Sequence, residues 1–82
     1  MGRTPRARRT NRNSTGLTIQ RIRMAAHPKI TQQDMVGRLA VLGVRINQSQ
    51  FAKIESGARP LLDYEVAAVA KALKVPVQAL FG

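Results

Sequence analysis

From residue 17 onward the chain is punctuated by Pro28, Gly43, Gly57, Pro60 and Pro76, and the pieces between them carry apolar residues at helical spacing. Proline disfavours helical geometry in the residue before it, and glycine supplies the left-handed conformation that closes a helix. Several short amphipathic pieces of this kind can bury their stripes only against one another, which predicts packed helices and no strand. Ile19, Ile22 and Ala26 mark a first helix from Thr18 to near His27, with Gln20, Arg21 and Arg23 outside or at its flank. Thr31-Gln32-Gln33-Asp34 has the form of a capping box opening a second helix. Met35, Val36, Leu39, Ala40 and Leu42 then predict a broad buried face. Gly37 within it costs roughly 1 kcal/mol of helix propensity, and either permits close packing or is simply tolerated. Val44 and Ile46 are expected as buried anchors before Asn47, the N-cap of a third helix that stops at Gly57. Asp63 is expected to cap a fourth helix, with Glu65 in its first turn and Val66, Val69, Ala70 and Leu73 as its stripe. Pro76 suits the first position of a last short helix carrying Val77, Leu80 and Phe81. No internal repeat is present.

All 82 residues make one small domain, and the absence of cysteine removes disulfides and thiolate metal sites, so apolar packing must hold it. No apolar run approaches the ~20 residues that span a bilayer, and the N-terminal arginines lead into polar residues rather than a signal segment. A cytoplasmic protein, nucleoid-associated when on DNA, is the default expectation. The formal charge is +10, from fourteen bases and four acids. Arg3, Arg6, Arg8, Arg9 and Arg12 place five of those charges in the first thirteen residues, without an acid. Residues 1–16 lack apolar periodicity and read as a disordered basic arm, leaving 17–82 as the domain. Arginine forks suit phosphate, so a polyanion is the natural partner; a solvated tail without a target is the plain alternative.

The third helix, within Asn47 to Pro60, offers water an unusual surface. Only Phe51, Ile54 and to a lesser degree Ala52 face a core, while Gln48, Ser49, Lys53 and Ser56 lie opposite or at the leading end. Amides, hydroxyls and one lysine can hydrogen-bond base edges in a DNA major groove, which makes this a candidate recognition helix. A polar solvent face is the alternative.

Taken together, Ile30-Thr31-Gln32-Gln33, Lys53-Ile54-Glu55-Ser56-Gly57, Arg59-Pro60, Asp63-Tyr64-Glu65-Val66 and Ala70-Lys71-Ala72-Leu73 resemble, in order and spacing, the lambda-repressor and Cro-like (XRE family) helix-turn-helix domain. The resemblance runs from Thr18 to Phe81. It implies a compact all-α five-helix fold and a sequence-specific transcriptional regulator, most often a repressor, with helix three (about 47–56) in the major groove and helix two across the backbone. Matched by residue, Gln48, Ser49 and Lys53 fall at base-facing positions. The resemblance also implies a structural ion pair between Arg23 and Glu55. Gln32 at the start of helix two, Asn47, Arg45 and Arg59 are expected at the phosphates, and the arm arginines at phosphates or a minor groove. Three features depart from the family pattern: a longer connection through residues 40–46, a slightly extended loop at 26–29, and Lys74 in place of the usual glycine.

Double-stranded DNA is therefore the expected partner, with a homodimer and a protein partner as further expectations. Leu80 and Phe81 either form a dimer contact or close the monomer core. Catalysis is not expected, because Asp34, Glu55, Asp63 and Glu65 all have cap, first-turn or ion-pair roles and His27 sits in a loop. No metal, cofactor or small-molecule ligand is expected. Met24 and Met35 are assigned to core or gap-filling positions, and Tyr64 to packing with its hydroxyl at the surface. Two other classes compete: an interaction module of antitoxin-like or adaptor type with DNA binding secondary, and an RNA binder working through the arm.

Overall fold

The structure is a computed structural model that describes residues 15–81. Every described regular element is helical, and each contributes to one core. We label the helical residues 15–25 α1, Gln32–Val41 α2, Gln48–Ser56 α3 and Asp63–Leu73 α4; a 3-10 turn at Val77–Phe81 follows. The fully buried side chains come from all five: Ile19, Met35 and Leu39, Phe51, Val69, and Leu80. α2 packs on α3 and α4, and the terminal turn packs on α4.

Residues 15 and 16, assigned by the sequence to the arm, belong instead to α1 and are buried. The arm residues Arg3, Arg6, Arg8, Arg9 and Arg12 lie outside the described residues. Gly16 explains why the helix can continue through this region. A Cβ placed there would lie 2.5 Å from the carbonyl oxygens of both Ile54 and Glu55, so only glycine lets α1 lie against the end of α3. α1 ends at residue 25, short of His27, and the loop folds back as the Ile30 amide donates to the Arg23 carbonyl at 3.2 Å. Met24 is 47% exposed and lies outside the core expected for it, whereas Met35 is fully buried.

The caps of α2 and α3 follow from their sequences. Thr31 Oγ1 accepts from the Asp34 amide and Asp34 Oδ2 from the Thr31 amide, each at 3.0 Å. Asn47 and Gln50 form the same reciprocal pair at 2.7 and 2.9 Å. Gly57 closes α3 with φ of 85°. The buried stripe of α2 is narrower than expected: Met35 and Leu39 are buried and Val36 partly so, but Ala40 and Leu42 are exposed. Ala40 lies one helical step of about 100° beyond Leu39. Leu42 caps the helix, and the chain then turns at Gly43 (φ 90°) so that Val44 takes the inward position. Val44 and Ile46 anchor the turn as expected, the first buried and the second half-buried.

α4 begins differently from its expectation. Asp63 is its first helical residue, and the N-cap is Leu62, which has no side-chain acceptor. Glu65 compensates by accepting the Leu62 amide at 3.0 Å. Lys74 ends α4 in the left-handed region at φ 62°, where glycine would be cheaper by about 1 kcal/mol. The last expected helix is a 3-10 turn, opened by the Ala79 amide donating to the Pro76 carbonyl at 2.9 Å. Its apolar residues divide: Leu80 is fully buried and closes the core, while Phe81 is 59% exposed. Among the described residues, no helix is long and apolar enough to cross a membrane.

Candidate nucleic-acid interface

α3 is held by its inner face and displayed by its outer one. Phe51 and Ile54 are buried, the reciprocal Asn47–Gln50 cap fixes the first turn, and Gly57 fixes the last. Gln48, Ser49 and Lys53 are all exposed on this anchored scaffold. Ser56, also exposed, donates its hydroxyl to the Lys53 carbonyl at 3.1 Å and so serves its own helix.

Beneath the outer face runs a chain of polar contacts that starts in the core. Arg23, only 6% exposed, presents Nε to Glu55 Oε2 at 2.7 Å and Nη2 to Glu55 Oε1 at 3.0 Å. Its remaining Nη1 donates to the Ile30 carbonyl at 2.9 Å, so one guanidinium ties α1 to α3 and to the loop before α2. Such a fork is the strong form of charge-assisted hydrogen bonding, because two parallel N–H groups match the two carboxylate oxygens, and burial makes the loss of either partner costly. Glu55 Oε1 also accepts from Gln32 Nε2 at 3.0 Å, and Gln32 Oε1 accepts a longer bond from Gln48 Nε2 at 3.4 Å. Arg23 and Glu55 are thus brought together, and Gln32 and Gln48 are lined up behind them.

Gln32, expected at a phosphate, spends part of its amide on Glu55 and retains one N–H at the start of α2. Asn47 uses its side-chain oxygen for the cap, leaving its amide nitrogen free to donate. Arg45 is exposed just ahead of α3, and neither it nor Lys53 has a carboxylate partner among the described residues. Arg59, expected at a phosphate, has a partner within the fold. Rather than a free charge beside the helix, it is a fork onto Glu65, with Nη1–Oε1 at 3.0 Å and Nη2–Oε2 at 2.9 Å. The guanidinium therefore fixes the turn after α3 onto the start of α4. That hydrogen bonding, first of all, holds the Glu65 carboxyl below its usual range, aided by the Leu62 amide and opposed by burial. The Asp34 carboxyl is likewise lowered, chiefly by the Thr31 backbone amide.

The acids of the described region are thus largely committed to caps and forks. Asp34 serves a cap, Glu55 and Glu65 serve arginines, and Asp63 lies exposed at the start of α4. Arg21, Arg45 and Lys53 are exposed and have no carboxylate partner among the described residues. Sequence reasoning missed three members of this arrangement: Gln50, Gly16, and Arg38, whose Nη1 donates to the Ala72 carbonyl at 2.8 Å. Only Gln50 left a readable signal, since Asn47-x-x-Gln50 has capping-box spacing. Comparison with known proteins found no family model, curated protein or solved structure that matches the chain.

Proposed function

We propose that the protein is a sequence-specific binder of double-stranded DNA, a transcriptional regulator of helix-turn-helix type that inserts α3 into the major groove. The reading is supported above all by one observation: Gln48, Ser49 and Lys53 stand exposed together on a helix whose opposite side is locked into the core. A rigid element about 10–12 Å across with amides and an ammonium outward matches the width and hydrogen-bonding code of that groove. Gln48 is suited to adenine N6 and N7, and Lys53 to guanine N7 and O6. Gln32, Asn47 and Arg45 are placed by this reading at phosphates on either side, where they set register rather than sequence. Repression follows by occupancy of an operator, as the lambda-repressor-like resemblance suggests. Arg59 is left out of the proposed contacts because its fork is already filled.

Selection from random duplex DNA at physiological salt tests the proposal. Wild type is expected to return a defined motif, and Gln48→Ala to lose preference at one or two positions at a cost of about 1–3 kcal/mol on the best site. Identical motifs from the two proteins would remove α3 from the role given to it.

A further inference from the structure

The outer face of α2 carries a second surface. On this helix Gln32, Met35, Val36 and Leu39 point inward, whereas Gln33, Asp34, Gly37, Arg38 and Val41 share the opposite side. With the loop after α1 and the end of α4, those outward residues form an open groove. Its cations come from three separate segments: Lys29 in the loop, Arg38 on α2 and Lys74 at the end of α4. The one acid lining it, Asp34, accepts the Thr31 amide and keeps its charge, so the groove carries three cations against one anion. Between the charges lie apolar groups, among them Pro28 and Val41, and Val41 is 86% exposed, the most exposed large apolar residue described. Gly37 sits one helical turn from Val41, and nothing lies within 4 Å of where its Cβ would be, so it leaves a notch. Lys74 adopts a left-handed backbone that glycine would occupy more cheaply.

We propose that this groove docks an acidic, amphipathic peptide segment of a protein partner. Its carboxylates lie on Lys29, Arg38 and Lys74, and an aliphatic or aromatic side chain packs on Val41 in the notch beside Gly37. A nucleic-acid backbone would satisfy the cations but gain nothing from Val41 and Pro28, which is why a peptide fits better. The groove lies on the side of α2 away from Gln32 and α3, so the proposal stands or falls independently of DNA reading.

The test uses the full chain, labelled with nitrogen-15, and a fluorescent peptide of roughly twelve residues alternating glutamate with leucine and phenylalanine. The controls are an oligoglutamate of equal charge and a short duplex DNA. Binding is expected with Kd below about 1 mM, with amide shifts confined to the loop, the outer face of α2 and Lys74. Oligoglutamate is expected to bind at least about tenfold more weakly. Gly37→Tyr, which fills the notch while improving helix propensity, is expected to abolish binding without lowering the thermal midpoint. Lys74→Glu gives the same reading should the tyrosine variant fail to fold. The proposal is overturned by absence of binding, by shifts centred on α3, by equal affinity for oligoglutamate, or by duplex DNA shifting the groove residues as the peptide does. Unaltered binding in whichever of the two variants is folded also overturns it.

Discussion

Two helical glycines sit in opposite surroundings. Gly16 lies where α1 meets the end of α3, and a single added carbon would run into backbone carbonyls 2.5 Å away. Gly37 lies on the outer face of α2, where the same carbon would meet nothing within 4 Å. The α1–α3 junction is a close-packed, fully paired region, while the outer side of α2 is open and underfilled. Interior packing tolerates almost no change of volume, whereas an exposed helix position responds mainly to propensity. The two regions should therefore answer opposite substitutions with opposite signs.

Removing the ion pair at the junction gives the largest expected effect. Arg23→Ala should destabilise by about 3–5 kcal/mol, because it leaves the Glu55 carboxylate buried and unpaired. Adding Glu55→Ala should cost much less than the sum of the two, measured as a double-mutant cycle by denaturant unfolding. Additivity would show the junction to be less tightly coupled than its geometry. Next is Gly16→Ala, expected to cost about 1–3 kcal/mol, since the obstacle is backbone that must shift rather than a side chain that can turn. An unchanged midpoint would erase the contrast between the glycines.

On the open side, Gly37→Ala and Lys74→Gly should each stabilise by about 0.5–1 kcal/mol, the first through propensity and the second by relieving the left-handed cap. A loss of stability from either would mean the region is less open than it stands.

The Arg59–Glu65 fork should contribute less than the junction, because the Arg59 side chain keeps 27% of its surface in water although that of Glu65 is only 3% exposed. Its sign with pH is fixed. Glu65 is lowered from the usual 4.5, so its contribution is complete above that value and fades as pH falls through the folded value. The stability difference between wild type and Glu65→Gln should shrink accordingly on acidification. A constant difference would assign the fork's effect to hydrogen bonding alone.

Much of this was readable in advance where local chemistry decides. Thr31–Asp34, Asn47, Gly57 and the Phe51–Ile54 pair all signal themselves within a few residues of chain. Contacts made across the fold leave no such trace. Gly16 reads as linker because the stretch before it is polar, and only the approach of α3 shows that it belongs to a buried helix. Arg59 reads as a free cation because Glu65 is assigned to its own helix, yet both tasks fall to one carboxylate, which caps Leu62 and binds the arginine together. Asp63 looks like the natural N-cap, but the chain enters α4 one residue earlier and uses Leu62. Phe81 and Leu80 are indistinguishable in sequence, and their fates diverge with the direction of a single turn.

Glu55 has a reach that its position near the end of α3 would not suggest. Its two oxygens lock the arginine of α1, and one of them, Oε1, also orients Gln32 and through it the first outward amide of α3. Selection on whatever Gln48 touches is therefore also selection on the interior. Replacing Gln48 would be expected to call for a compensating change at Gln32, the residue that links it to Glu55.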